Sequence, residues 1–176
     1  CLMLVVSRGV PAAAQDTTTR VSVASNGAQG TAMSYAPSIT SDGRYVVFTS
    51  RATNLVANDT NNREDVFLHD RQTGTIERVN LGPGGVQGEG QPSEGLGFYA
   101  FSAVSADGRF VAFTSPSTNL VANDTNGAMD VFVRDRQTAT TSRVSVATGG
   151  GQANSDSNGG PARAPLISAD GRFVVF

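Results

Sequence analysis

Two carboxylates and an amide oxygen recur at one spacing in this chain, as Asp59-x-Asn61-x-x-x-Asp65 and again as Asp124-x-Asn126-x-x-x-Asp130. Hard oxygen ligands close together on a loop are what Ca2+ takes, and it needs roughly six to eight oxygens, the remainder from backbone carbonyls and water. The EF-hand pattern is not met, because neither loop has its third acidic position, its Gly and its terminal Glu. The same residue types also build loops, since Asp and Asn side chains bond nearby backbone amides. The six residues are therefore read both as candidate Ca2+ ligands and as loop structure. A second segment, Asn154-Ser155-Asp156-Ser157-Asn158-Gly159, alternates oxygen ligands and ends in Gly, but it carries one carboxylate and is followed by Pro165 where a terminal Glu would stand. It reads as a flexible connection.

Nucleophilic chemistry has little to work with. His69 is the single histidine, and Arg134 takes its place in the second loop-bearing segment, so it is expected to be an exposed strand residue. A serine triad needs nucleophile, base and orienting acid together, and the sequence has no Gly-x-Ser-x-Gly elbow. Glu77, Glu89 and Glu94 read as solvated carboxylates, the usual case. No catalytic residue is expected. Phe98, Tyr99 and Phe101 stand in the longest connection without counterparts elsewhere; packing beneath that connection is expected, with partner contact as the other reading.

The loops belong to a repeat of 65 residues. Thr40 to Asn80 recurs without gaps as Ser105 to Ser145, identical at 26 of 41 positions, and a third copy opens at Ser168. Repetition on this scale marks one supersecondary unit that must stack on copies of itself to bury its apolar faces. Within each copy the apolar residues come in short runs separated by turn residues, without helical spacing. Asp42-Gly43, Asp107-Gly108 and Asp170-Gly171 are hairpin signals, because a primed turn demands positive φ. Tyr45 to Phe48 and Phe110 to Phe113 are apolar on both alternations, as strands covered on both faces are. The third run is Val66 to Leu68, and the fourth is Glu77 to Leu81.

The expected fold is all-β: a β-propeller fragment of four-stranded antiparallel blades, two complete and others partial, with radial stacking covering both faces. Blades are expected over 34–81 and 98–148, with a third opening over 162–176. Arg20 to Ser25 copies Arg143 to Thr148, so 19–25 is expected to be an outer strand whose own blade lies elsewhere. Only the connection from Gln to the next Asp-Gly varies, taking 13 residues from Gln29 to Asp42, 20 from Gln87 to Asp107 and 18 from Gln152 to Asp170. Variation confined to one connection maps to one edge of a stack, often the binding face.

Residues 1–14 read as the remnant of a secretory signal, with an apolar stretch, then Ala12 and Ala14 before a cleavage point at Gln15. Cys1 would be removed with it. Export to the periplasm or beyond is expected, and no other apolar run is long enough to span a membrane. The net charge is -2, and the 13 basic residues, all Arg, are scattered, so no basic stripe exists to bind nucleic acid. The third copy stops inside an apolar run at Phe176, which points to more blades beyond it.

These residues resemble the TolB-like propeller repeat of exported bacterial proteins. The likeness lies in Ser-x-Asp-Gly-Arg, the apolar run ending in Phe-Thr-Ser, Asp-Val-Phe at 65–67 and 130–132 where the family has Asp-Ile-Tyr, then Asp-x-x-Thr-Gly and Arg-Val. It covers about residues 35 to 176 and departs in the longer loop from Asn54 to Asn61 and in Ala139, where the first copy has Gly74. The resemblance implies a non-catalytic interaction scaffold of the cell envelope, with a protein partner or an extracellular ligand. Similar blades also cap hydrolases, so a gating domain of a hydrolase whose catalytic part follows Phe176 is one alternative. A calcium-dependent adhesion protein is the other.

Overall fold

The computed structural model describes residues 18–89, 100–154, 157 and 164–176; the proposed signal remnant lies outside them. The described chain is all-β. One antiparallel sheet has the order β1 (Ser34–Ile39), β2 (Tyr45–Ser50), β3 (Asp65–Asp70), β4 (Thr75–Arg78). A second repeats it with β5 (Ser102–Val104), β6 (Phe110–Ser115), β7 (Asp130–Asp135), β8 (Thr140–Arg143). A two-stranded sheet, β9 (Leu166–Ile167) and β10 (Val174–Val175), opens a third unit. The register repeats as well, with Phe48 opposite Phe67 and Phe113 opposite Phe132.

Each opening hairpin is fixed by its Asp-Gly turn. Gly43, Gly108 and Gly171 take φ of 73°, 72° and 72°, a region closed to most side chains. The Asp before each accepts a hydroxyl hydrogen at 2.6 Å, from Thr40, Ser105 and Ser168 respectively. Those bonds hold all three carboxyl pKa values below the ordinary one. Across the far end of the first blade, Arg44 grips Asp70 with Nε at 3.1 Å and Nη2 at 2.8 Å, which draws that carboxyl down to about 2. Arg109 and Asp135 repeat the fork at 3.0 and 2.7 Å.

The sheets pack face to face, as both-sided apolar strands require. Tyr45, Val47, Leu68 and Val79 of the first blade meet Val111, Phe113, Leu120 and Phe132 of the second in one buried cluster. Alternate residues Val46, Phe48, Phe67 and Ile76 face the opposite way, where Val21 of the N-terminal segment packs on them. Every residue of β2 and β3 is therefore buried. At about 1.5–3 kcal/mol for each large apolar side chain removed from water, this stacking is the main stabilising term. Polar bonds tie the blades too: Thr49 Oγ1 donates to the Ala100 carbonyl at 2.6 Å, and Thr141 Oγ1 to the Leu81 carbonyl at 2.5 Å. The result is a stack of propeller-type blades, open rather than closed into a ring.

Several local features differ from the sequence reading. Strand β1 is bulged, its register slipping between Tyr35 and Ser38 where Ala36 takes φ 49° before Pro37. The fourth strand lies earlier, and Leu81 instead bridges Gln87 across a tight loop. Residues 18–30 form a single-bridge hairpin, Val23 to Gln29, rather than a regular strand. Ala139 occupies the left-handed turn position of Gly74, with φ 55° against 72°.

Nothing lies within 4 Å of a Cβ built on Gly74, so the residue at this turn is decided by backbone conformation alone. The left-handed region costs an alanine about 1–2 kcal/mol, and glycine's freer unfolded chain offsets about 0.4–1 of that. Ala139→Gly is expected to stabilise the protein by about 0.5–1 kcal/mol, read as a higher urea midpoint. An unchanged or lower midpoint would show that the strain is absent.

Candidate functional site

The two ends of the stack differ. One end carries the tight turns at 40–44 and 71–74 and their counterparts. The other carries the 51–64 and 116–129 loops together with the variable connections, because β2 ends and β1 begins there. Asn54 and Asn119 pin these together: Asn54 Nδ2 donates to the Gln29 carbonyl and Asn119 Nδ2 to the Gln87 carbonyl, both at 2.8 Å. Their Oδ1 atoms accept Thr31 N at 2.9 Å and Glu89 N at 3.1 Å. The bases of these two connections are thus each clamped by the blade that follows.

The Asp and Asn residues singled out from the sequence do converge, and an arginine lies among them. Arg78 Nη1 sits 3.1 Å from Asp65 Oδ2, 3.1 Å from Gln87 Oε1 and 3.1 Å from Asp59 Oδ1. The side chains of Asp59, Asp65 and Arg78 are only 2%, 1% and 7% exposed. That nitrogen has two protons, taken by Asp65 and Gln87, so Asp59 Oδ1 is held by charge without a hydrogen bond. Asp65 Oδ1 accepts Asn80 Nδ2 at 2.7 Å and Asn61 Nδ2 at 3.2 Å. Asn61 thus turns its nitrogen to the carboxylate, while its Oδ1 accepts Arg63 N at 3.1 Å.

The second copy is built alike. Arg143 Nη1 lies 2.9 Å from Asp124 Oδ1 and 3.4 Å from Asp130 Oδ2. Ser145 Oγ donates to Asp130 Oδ1 at 2.6 Å, and Asn126 Nδ2 to Oδ2 at 3.1 Å. Gln87 and Gln152 thread the loops: Gln87 Oε1 accepts Thr60 N and Asn61 N at 3.2 Å, and its Nε2 donates to the Asn58 carbonyl at 2.6 Å and Thr60 Oγ1 at 3.2 Å. Gln152 makes the same four bonds to Thr125 N, Asn126 N, the Asn123 carbonyl and Thr125 Oγ1.

The positive charge between the carboxylates is therefore an internal guanidinium. Among the described residues, no three acidic, histidine or cysteine side chains gather as a metal would require. The sequence reading did not include Arg78, Arg143, Gln87 and Gln152 in this cluster, although all four recur in register and the two glutamines had marked the repeat's length. Of the weaker candidate loop, Asn154 and Ser157 are described, Ser157 N donating to the Met129 carbonyl at 2.8 Å; its remaining residues, like Phe98, Tyr99 and Glu94, lie outside the described part.

His69 is buried, 6% exposed, not an exposed strand residue. The cause is the N-terminal hairpin lying over that face, where Ser25 Oγ accepts Ile76 N at 3.1 Å. Burial lowers the imidazole pKa. Glu77 is not simply solvated either; it accepts Arg136 Nε of the second blade at 2.6 Å.

Asp59 shows what the shared guanidinium leaves undone. Burial first, then the charge of Asp65, raises its carboxyl pKa above the ordinary 3.8. A folded-state pKa raised in this way contributes stability below the unfolded value, and that stability is lost as pH rises through the folded one. Ionised Asp59 therefore costs stability at neutral pH. Asp59→Asn, which leaves Arg78 and Asp65 paired one to one, is expected to stabilise the protein by about 1 kcal/mol at pH 7, the lower range for a buried unsatisfied atom. The difference from wild type should vanish below about pH 4. Thermal melts of both proteins across that range check it, and a loss at pH 7 would contradict it.

The fold defines the class as a stacked array of propeller-type blades. No protein-family model matches this chain, and no curated protein matches it. Among solved structures it is similar to TolB from Acinetobacter baumannii, at 18% identity and TM-score 0.30, covering 81% of this chain and 37% of that one. It is also similar to a putative TolB from Agrobacterium tumefaciens, at 14% identity and TM-score 0.28, covering 81% of this chain and 53% of that one. The chain thus spans about half or less of these structures. Among the described residues, no helix is long and apolar enough to cross a membrane.

Proposed function

We propose that the chain is part of an exported, non-catalytic interaction scaffold whose variable connections contact a macromolecular partner in the cell envelope. The observation that carries this reading is the contrast at one end of the stack. The connections after Gln29 and Gln87 are pinned at their bases by Asn54 and Asn119, while connection length varies between copies of an otherwise constant unit. A rigid frame holding loops of differing length is the arrangement by which recognition is varied without disturbing a fold. The Asp-Asn loops serve that frame, with Arg78 and Arg143 as their cations in place of Ca2+.

The test is a graft that removes seven residues between Gln87 and Ala100, the excess of the 20-residue connection over the 13-residue one, and leaves Ala100 and β5 in place. The graft is expected to keep the thermal midpoint and to lose capture of envelope proteins that the unaltered chain retains. Equal capture by both would count against the scaffold reading. A chelator should leave the midpoint unchanged; a Ca2+ site held at 100 times its dissociation constant would contribute about 2.7 kcal/mol, and its loss would be visible.

A further inference from the structure

His69 and Arg134 hold the same place in successive copies of the repeat, and each is buried against the unit before it. At the joint between the first and second blades that contact is polar. Arg134, 8% exposed, donates through Nη1 to the Leu81 carbonyl at 3.3 Å and to Thr141 Oγ1 at 3.1 Å, and Thr141 Oγ1 donates to the same carbonyl. A guanidinium does not lose its proton in a protein, so this joint has one charge state. At the joint between the N-terminal hairpin and the first blade, Val23 takes the place of Leu81, bridging Gln29 as Leu81 bridges Gln87. Ile76 stands there instead of Thr141, and His69 instead of Arg134. His69 is 6% exposed, and among the described residues its Nδ1 meets no hydrogen-bond partner.

The surroundings of that ring are apolar or already paired. Val46 and Ile76 stand opposite it on β2 and β4. The loop at 51–64 meets this face through Ala52, Leu55 and Val56, and its Arg51 and Glu64 bond each other while Asp59 lies on Arg78. The hairpin brings Val21, and its one charged residue, Arg20, is bonded to Gln29. On β3 itself Asp70 is held by Arg44. Burial therefore outweighs the Gly74 carbonyl and Asp70, which favour a charged ring, while Arg71 adds its own repulsion, and the imidazole pKa falls. A protonated ring has N–H donors on both nitrogens, and the one at Nδ1 would be buried with nothing to accept it.

We infer that the joint between the hairpin and the first blade is a proton-sensitive latch. With His69 neutral the hairpin seats on the blade; a proton on the ring lifts it and uncovers Val46, Phe48, Phe67 and Ile76, while Arg134 keeps the next joint shut. A base whose folded pKa lies below its unfolded one contributes stability above the unfolded value, about 6.5, and loses it as pH falls towards the folded one. Opening of the hairpin should thus rise by up to about tenfold per pH unit below about 6.5 and then level off.

The reporter is the Ile76 amide, whose hydrogen bond to Ser25 Oγ at 3.1 Å joins blade and hairpin. Its exchange with deuterium is read by NMR on the whole chain between about pH 7.5 and 5, above the range of ordinary carboxylates, and divided by the rate of an unprotected amide. That ratio is expected to rise several-fold on acidification, with the His69 ring titrating below about 6.5 in the same samples. His69→Gln, neutral throughout, should hold the ratio constant. A wild-type ratio that does not change, a His69 pKa at or above about 6.5, or the same pH dependence in His69→Gln overturns the inference. The last result would place the acid response in another group. The ring titration uses the unaltered chain, so it decides the matter even where the variant fails to fold.

Discussion

Arg78→Ala is expected to destabilise the protein by about 3–5 kcal/mol at pH 7, the cost of leaving a buried charge without its partner. Two carboxylates would remain, on side chains 2% and 1% exposed, and Asp65 would keep only the neutral donors Asn80 and Asn61. The pH dependence separates this from loss of packing. Without the guanidinium, the burial and the neighbouring carboxylate charge that already raise the Asp59 pKa act unopposed. The variant must then gain stability, relative to wild type, as the solution is acidified and Asp59 takes up its proton. Urea midpoints for both proteins between pH 4 and 8 give the test (roughly the range in which buried carboxyls titrate). A constant gap would assign Arg78 a purely steric role. Adding Asp59→Asn should recover part of the loss, because one of the two uncompensated charges is removed.

How far this arrangement could be read from sequence depends on whether each residue's partner is local. Tyr45 to Phe48 is apolar on both alternations, so burial on two faces follows from the strand's own period, and all four residues are buried. The Asp-Gly turns are local in part: Gly43, Gly108 and Gly171 take the positive φ expected, but the Asp before each does not, so the primed turn is replaced by a longer loop in which Gly43 N donates to the Thr40 carbonyl. The cluster at Asp59 and Asp65 is different. Its residue types were visible, but its chemistry is set by Arg78 and Gln87, 13 and 22 positions beyond Asp65, brought in by strand pairing and by the bridge at Leu81. Acidic and amide oxygens on a loop look the same whether a metal or a guanidinium completes them. The recurrence of both partners at matching positions was the available signal. His69 escaped for a related reason: its strand position was legible, but the hairpin that covers it comes from residues far earlier in the chain.

Gly108→Ala should strike the joint between blades. The turn has φ 72°, and a Cβ there would lie 2.5 Å from the Tyr45 ring of the preceding blade. Two costs therefore add: about 1–2 kcal/mol for an alanine in the left-handed region and about 1–3 kcal/mol for overpacking a filled contact. Part is offset by the alanine's less free unfolded chain, which leaves a loss of about 2–4 kcal/mol. Tyr45 has little room to retreat, since it is buried in the cluster shared by both blades and carries the Arg44 guanidinium 4.6 Å from its ring centre. The comparison that isolates the joint is Gly43→Ala, at the same turn of the first blade with φ 73°, where the nearest heavy atom to a Cβ is Arg71 Nη1 at 3.4 Å. That variant carries the conformational cost alone and should lose about 1 kcal/mol or less. Chemical denaturation of the pair, read from both the midpoint and its slope, decides the point. Equal losses would mean that the blades do not press together at Tyr45. A larger loss at Gly108, with a slope lowered because the second blade releases early, would place the stack's cooperativity in that contact.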